Sequence, residues 1–293
     1  MAQAAEFEEK EYEQPLNFEL LSNPGNNIWS PGQVFEEHFG IDVALNVDKP
    51  DFWKLFGHIN IPAGAILDSF NWGYIWRKIK TKRMLPNFQT NLLLQVKRSH
   101  HRIGRKAIYA AQGITGQYWQ FEITDHQQHA LDKLHQKLSN RALVCYASPA
   151  FHTLAELYDN IRMNSLVENT SFVQVHRMTG HKRWVYDQAG AVGLACSKIE
   201  KIEDQNFRSL INNIDSSSND GNTLSNLLVL ESAVIECIAE LDQENPIARE
   251  FNRRIFNIQN AETIAENSNL LAIRAYVNFS TFCNLTNFSW FVI

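Results

Sequence analysis

Gln95 and Lys97 stand two positions apart where the apolar run "NLLLQVKR" turns polar. Alternate residues of a strand point the same way, so this spacing puts an amide and an ammonium group on one face, above Leu93. Asp42 opens a second segment, "IDVALNV", and Glu36 and Glu37 precede it on a helical stretch that Gly40 stops. If the two strands pair, Asp42 comes beside Gln95 and Lys97, and Glu37 lies within reach from the helix. A carboxylate, an amide oxygen and a helical glutamate form a hard, oxygen-rich pocket suited to Mg2+ or Mn2+. A lysine beside such an ion can orient or deprotonate an attacking water and offset charge developing on a phosphate.

The elements that must position these groups can be read along the chain. Residues 1–28 read as an irregular or partly helical arm. In "WSPGQVFEEHFG", Ser30 is the expected N-cap and Pro31 the first helical residue. "IDVALNV" alternates like a strand, and residues 48–89, rich in Pro, Gly and Trp, read as an insertion with short helices. "QTNLLLQVKR" is apolar enough to lie centrally in a sheet. A Gly-punctuated basic segment follows. Then "TDHQQHALDKLHQKL" puts Ala130, Leu131, Leu134 and Leu138 on one helical face. "RALVCYASPAF" reads as a strand, "FHTLAELYDNI" as a helix and "TSFVQVHRM" as a further strand. The order predicts an α/β sheet flanked by helices.

Beyond about residue 205 the texture changes. "NIDSSSNDGN" is a polar linker, and three long helical patterns follow it, beginning with "TLSNLLVLESAVIECIAEL". The expected division is therefore 1–204 and 205–293, the second part mainly helical and serving a partner or oligomer contact. The tail "FSWFVI" is too apolar to stand in water, so it is expected to tuck into this part or against a partner.

Composition bounds the function. Of 293 residues, 44% are hydrophobic and 20% charged, which fits a globular chain. The four cysteines, Cys145, Cys196, Cys237 and Cys283, form no CxxC pair, which argues against a structural zinc or a disulfide framework. The acidic N-terminus lacks a signal-type apolar region, and no apolar run is long enough to span a bilayer, so a cytoplasmic location is expected. Net charge is −5, yet ten of the 27 lysines and arginines fall between residues 77 and 106. Arg77, Lys78, Lys80, Lys82, Arg83, Arg98, Arg102, Arg105 and Lys106 are the candidate phosphate-binding cations; the tenth is Lys97.

Other constellations carry less. His126 and His129 share a helical face but lack a spaced Cys or acidic partner, so solvated histidines are expected. His100 and His101 are expected to touch phosphate or solvent. Ser148 has no nucleophile elbow, and no GK[ST] follows the scattered glycines, which disfavours ATP hydrolysis. Gln127 or Gln128 can assist the site from its helix. Taken singly, Asp42 suits a turn, and Gln95 and Lys97 suit a polar strand end. Their order behind an acidic helix favours the metal reading.

With these residues in view, the chain resembles the PD-(D/E)xK nuclease superfamily, the restriction-endonuclease-like fold. That family sets an acid on one strand, a (D/E/Q)xK motif on the next and a glutamate on the preceding helix. The matching positions are Asp42, Gln95-Val96-Lys97 and Glu37, or its neighbour Glu36. The resemblance implies Asp42, Gln95, the Val96 carbonyl and Glu37 as Mg2+ ligands, and Lys97 at the attacking water. "WSPGQVFEEHFGIDVAL", "LPNFQTNLLLQVKR" and "ALVCYASPAF" are similar to the dsDNA-endonuclease effectors of prokaryotic antiphage defence, of Lamassu and CBASS type, over roughly residues 28–180. The resemblance implies a metal-dependent DNA endonuclease held in check by regulatory subunits, SMC-like or sensor proteins, with homo-oligomers pairing two sites across a duplex. Gln95 replaces the commoner acid and removes one negative charge. A catalytically inactive DNA-binding or scaffold subunit is therefore the competing expectation, and an RNA-directed nuclease a third.

Overall fold

The computed structural model describes residues 2–22, 91–190, 192–203, 207–212, 223–259 and 268–292. Among them the chain is mixed α/β, with two sheets and eight α-helices. The segments expected to carry Glu36, Glu37 and Asp42, the cations from Arg77 to Arg83 and the linker 213–222 lie outside the described residues.

The first sheet is built on β2 (Asn91–Val96), buried at every position. One neighbour is β5 (Ala142–Pro149), parallel, with Gln95 opposite Tyr146; the other is β10 (Ser289–Val292), antiparallel. β6 (Thr170–Gln174) pairs antiparallel with β5 and completes the four strands. A strand buried throughout needs cover on both faces. Leu92, Leu94 and Val96 pack with Leu143, Cys145 and Phe172 against α1 (Glu9–Ser22) and α4 (Leu154–Met163). Leu93, Val144 and Tyr146 face the opposite way, toward α3 (Asp125–Leu138), whose Ala130, Leu131, Leu134 and Leu138 are buried as the periodicity requires. α4 begins with a full capping box, Thr153 and Glu156 satisfying each other's backbone amides.

The second sheet was not expected from sequence. It is antiparallel, in the order β1 (Ala2–Ala4), β3 (His100–Arg102), β4 (Tyr118–Glu122), β7 (Arg183–Tyr186), β8 (Val192–Cys196) and β9 (Glu200–Glu203). The Gly-punctuated basic segment, to which no element was assigned from sequence, thus contains β3, the short helix α2 (Ala107–Ala110) and β4. Its strands are three to five residues long, too short for alternation to declare itself. Long-range pairing makes them. Trp184 in β7 is fully buried, its indole donating to Ser171 Oγ at 3.0 Å. A Cβ at Gly193 would fall 1.9 Å from that ring, so only glycine admits the tryptophan.

The C-terminal region is helical as expected, with α5 (Phe207–Asn212), α6 (Thr223–Glu240), α7 (Pro246–Gln259) and α8 (Ser268–Thr286). One hydrophobic core runs from Leu93, Tyr146 and Trp184 through Leu230, Val234 and Phe251 to Phe279 and Phe282, joining residues on both sides of position 205. The apolar tail packs against this helical region, Trp290 on Phe279, but its backbone pairs with β2 of the first sheet, which was not expected. Asn287 takes a left-handed conformation (φ 58°) and the Phe288 amide bonds the Cys283 carbonyl, which turns the chain out of α8 into β10. Trp290 then donates to Asn91 Oδ1, and Ser289 to Glu13.

Candidate active site

The site forms where β2 ends beneath α3 and the last turn of α8. Gln95 is completely buried on the same face as Leu93, and its Nε2 donates to the Thr286 carbonyl at 2.6 Å. Its Oε1 is buried and, among the described residues, has no hydrogen-bond partner. Two residues on, Lys97 continues the ladder through its backbone amide to Ala147, and its Nζ donates to Gln127 Oε1 at 2.9 Å. Gln127 Nε2 then donates to the same Thr286 carbonyl at 3.2 Å. Thr286 is the last residue of α8, so its carbonyl has no intrahelical partner and carries the negative end of the helix dipole. Two glutamine amides converge on it and join Gln95 to Lys97 through Gln127.

Burial sets the electrostatics. Lys97 is held below the ordinary lysine range, chiefly by desolvation, with the Glu9 charge pulling it partly back. Its Nζ lies 5.9 Å from the centroid of the Tyr146 ring, a weak cation–π contact. Behind it runs a second polar line. Tyr146 donates to Gln128 Oε1 at 2.8 Å, and Gln128 Nε2 bonds Asp132 Oδ1 at 2.8 Å and the Val175 carbonyl at 3.0 Å. Thr179 closes the line on Asp132 at 2.9 Å. Desolvation pushes the Asp132 carboxyl up, and these two hydrogen bonds oppose it. One turn further along α3, His135 stacks on His176 with ring centroids 4.5 Å apart. Burial, then the neighbouring His135 and Arg177, hold His176 at about 4.

The expected site residues divide as follows. Gln95 and Lys97 share a face, as their spacing requires. The Val96 side chain points to the opposite core. Along residues 91–94, the neighbours of β2 are β5 and β10. These are the two positions in which a strand bearing Asp42 was expected to pair; Asp42, Glu36 and Glu37 themselves lie outside the described residues. Among the cations, Arg98 turns back on the chain, where its guanidinium bonds the Ala5 carbonyl and Glu8 and its amide bonds Glu9. Arg102 is half-buried at the end of β3, and Arg105 and Lys106 are exposed. His126 and His129 are exposed. Ser148 is buried and accepts from the Tyr186 hydroxyl at 2.9 Å. Among the described residues no group of three or more His, Cys, Asp or Glu side chains is arranged to hold a metal.

Both α3 glutamines that sequence singled out take part, in different networks. Tyr146 and Thr286 were missed. Tyr146 reaches the site only through the β2–β5 register, and Thr286 contributes a backbone carbonyl, which no side-chain pattern advertises. The chain matches no protein-family model, and no curated protein or solved structure is significantly similar to it.

Proposed function

We propose that the chain is a Mg2+-dependent endodeoxyribonuclease with a restriction-endonuclease-like core, an effector of antiphage defence that partner subunits hold in check. One observation carries this reading: a buried amide oxygen without a partner among the described residues, Gln95 Oε1, shares a strand face with a desolvated lysine whose Nζ a helix glutamine holds. The parallel pair β2–β5, joined by a crossover that includes α3, supports the fold. The defence role and the regulatory partners rest on the resemblance of residues 28–180 alone.

The donor set fits a hard divalent cation. An unsatisfied buried oxygen costs stability unless something supplies it with positive charge. Gln95 Oε1 and the Val96 carbonyl, with the carboxylates of Asp42 and Glu37, would hold Mg2+, which supplies Lewis-acid stabilisation to a phosphodiester. The protein's own part is electrostatic and positional. Gln127 fixes the Lys97 ammonium, and desolvation brings its proton affinity closer to neutral, so Lys97 orients a water and exchanges a proton with it. Thr286 fixes the Gln95 amide by taking one of its N–H groups, which leaves the oxygen free as an acceptor.

A second reading, an inactive DNA-binding or scaffold subunit, is favoured by the neutral amide at position 95 and by the α8 carbonyl that two site amides already bind. Incubation with plasmid, linear DNA and RNA, in Mg2+, Mn2+ or EDTA, separates the readings. DNA cleavage that EDTA stops, and that Lys97→Ala and Asp42→Ala each abolish while DNA binding persists, is the expected result. Binding without cleavage in any metal favours the second reading. Cleavage undiminished in both variants ends the assignment.

A further inference from the structure

The turn between β3 and α2, residues 103–106, stands apart from the rest of the described surface. Ile103 is 77% exposed, the highest value among the exposed large hydrophobic side chains of the described residues. It is followed by Gly104 at φ 122°, a conformation that L side chains rarely adopt, and a Cβ there would meet no atom within 4 Å. The apolar side chain therefore stands at an open tip. Arg102 precedes it and Arg105 and Lys106 follow within three residues, and among the described residues none of the three forms an ion pair. Lys106 lies 4.6 Å from the Tyr109 ring centroid, and Ile108, one residue before that tyrosine, is 53% exposed. The chain contains no Asp or Glu between Asp68 and Glu122.

The base of the tip is fixed. β3 is paired on both sides, with Arg102 opposite Ala2 of β1 and Tyr118 of β4. Three cations within three residues of one projecting aliphatic group match a polyanion that also offers an apolar slot. Duplex DNA offers both: phosphates on either side of the minor groove, and base steps that Ile, Leu, Met or Phe can part. A membrane surface would call for a broader apolar face than one isoleucine with a second behind it. Ile103 follows Lys97 by six residues, at most about 20 Å of chain, so one duplex can meet both.

We propose that Ile103 is a wedge that enters the minor groove and unstacks a base step, while Arg102, Arg105 and Lys106 grip the flanking phosphates. The proposal rests on the reading of DNA as the substrate and adds to it a mode of engagement: a kinked, partly unstacked duplex is delivered to the end of β2. Such a protein cleaves flexible pyrimidine–purine steps and mismatched duplexes in preference to stiff A-tracts.

The test uses the full chain carrying Lys97→Ala, and in parallel the wild type in EDTA, with duplexes bearing 2-aminopurine at successive positions. Binding is expected to raise the fluorescence of the unstacked base. Ile103→Ala is expected to abolish that rise while affinity changes by no more than about threefold, and Ile103→Met to restore it. Arg105→Ala is expected to weaken binding to all sequences alike and to lower the salt slope by about one. Because Ile103 is exposed, its variants should melt with the parent, which circular dichroism checks. A 2-aminopurine signal that survives Ile103→Ala with DNA still bound overturns the wedge and leaves the nuclease reading standing. Failure to bind DNA at all overturns both. Binding instead to vesicles of anionic lipid, lost in Ile103→Ala, assigns the tip to a membrane surface and likewise overturns the wedge.

Discussion

The two faces of β2 differ in kind although they belong to one six-residue strand. On one side Leu92, Leu94 and Val96 lie in a hydrophobic core shared with α1 and α4. On the other, Leu93 is the single apolar residue, between Asn91, which bonds Asn226 and the Arg141 carbonyl, and Gln95, which bonds Thr286. Lys97 extends that polar side past the end of the strand. The first face contributes stability through burial. The second holds polar groups out of water at a cost, and holds them in fixed positions. Under the proposed nuclease reading, stability and chemistry fall on opposite faces, which substitution on each face tests.

The largest expected effect lies on the polar face. Lys97→Ala should lower DNA cleavage by about 10³-fold, the range for a positioned acid–base group, and should leave the melting temperature nearly unchanged, because a desolvated ammonium stabilises little. Rate comparison under single-turnover conditions, beside a thermal melt, gives both readouts. Equal loss of stability and activity would mean that the two faces do not divide the work. Leu94→Ala should do the reverse. Truncating a fully buried leucine costs about 2–5 kcal/mol, visible in the urea midpoint, while cleavage per folded molecule stays at the parent level.

A smaller effect sharpens the comparison at Gln95 itself. Gln95→Glu removes the N–H that Thr286 accepts and brings a carboxylate against a helix C-terminus. Stability without metal should fall by about 1–3 kcal/mol. Mg2+ should restore it and should bind more tightly than to the parent, because a carboxylate is the stronger ligand. Melting curves with and without Mg2+ decide this; indifference to the ion would remove Gln95 from the metal site. The smallest effect belongs to the histidine stack further along α3. Burial holds His176 at about 4 and His135 below its usual range, so both stay neutral in the fold where the unfolded chain already takes up protons, from about pH 6.5. Their contribution is fully present above that pH and is lost as pH falls toward about 4. The urea midpoint should therefore drop between pH 7.5 and 5, and His176→Gln should flatten the slope.

Some of this was legible in the residues. α3 begins one residue after the start of its amphipathic pattern and ends with it, because four apolar positions at helical spacing leave little freedom. β5 and α4 fall where composition placed them; β6 covers only the first half of "TSFVQVHRM", whose Val175–Met178 forms a 3-10 turn instead. Gln95 and Lys97 share a face because side chains alternate along any strand. Sheet pairing was not legible. β3, β4, β7, β8 and β9 are short and stabilised by neighbours up to 100 residues away in the chain, as β3 is by β1 and Trp184 by Gly193 and Ser171. The division at residue 205 followed a real change in composition, yet the core crosses it, because an apolar helix face finds the nearest uncovered sheet whatever linker precedes it.

The sequence by itself determined the local alternation that aligns an amide with an ammonium group, the apolar stripe of α3, and the concentration of positive charge before residue 107. Only the tertiary structure decided that the last carbonyl of α8 holds both site glutamines, that the apolar tail becomes the edge strand beside β2, and that Ile103 stands in the open among cations. The reason is physical. Periodicity is fixed by bond geometry within a few residues, whereas hydrogen-bond partners and burial are settled by which distant surfaces exclude water together.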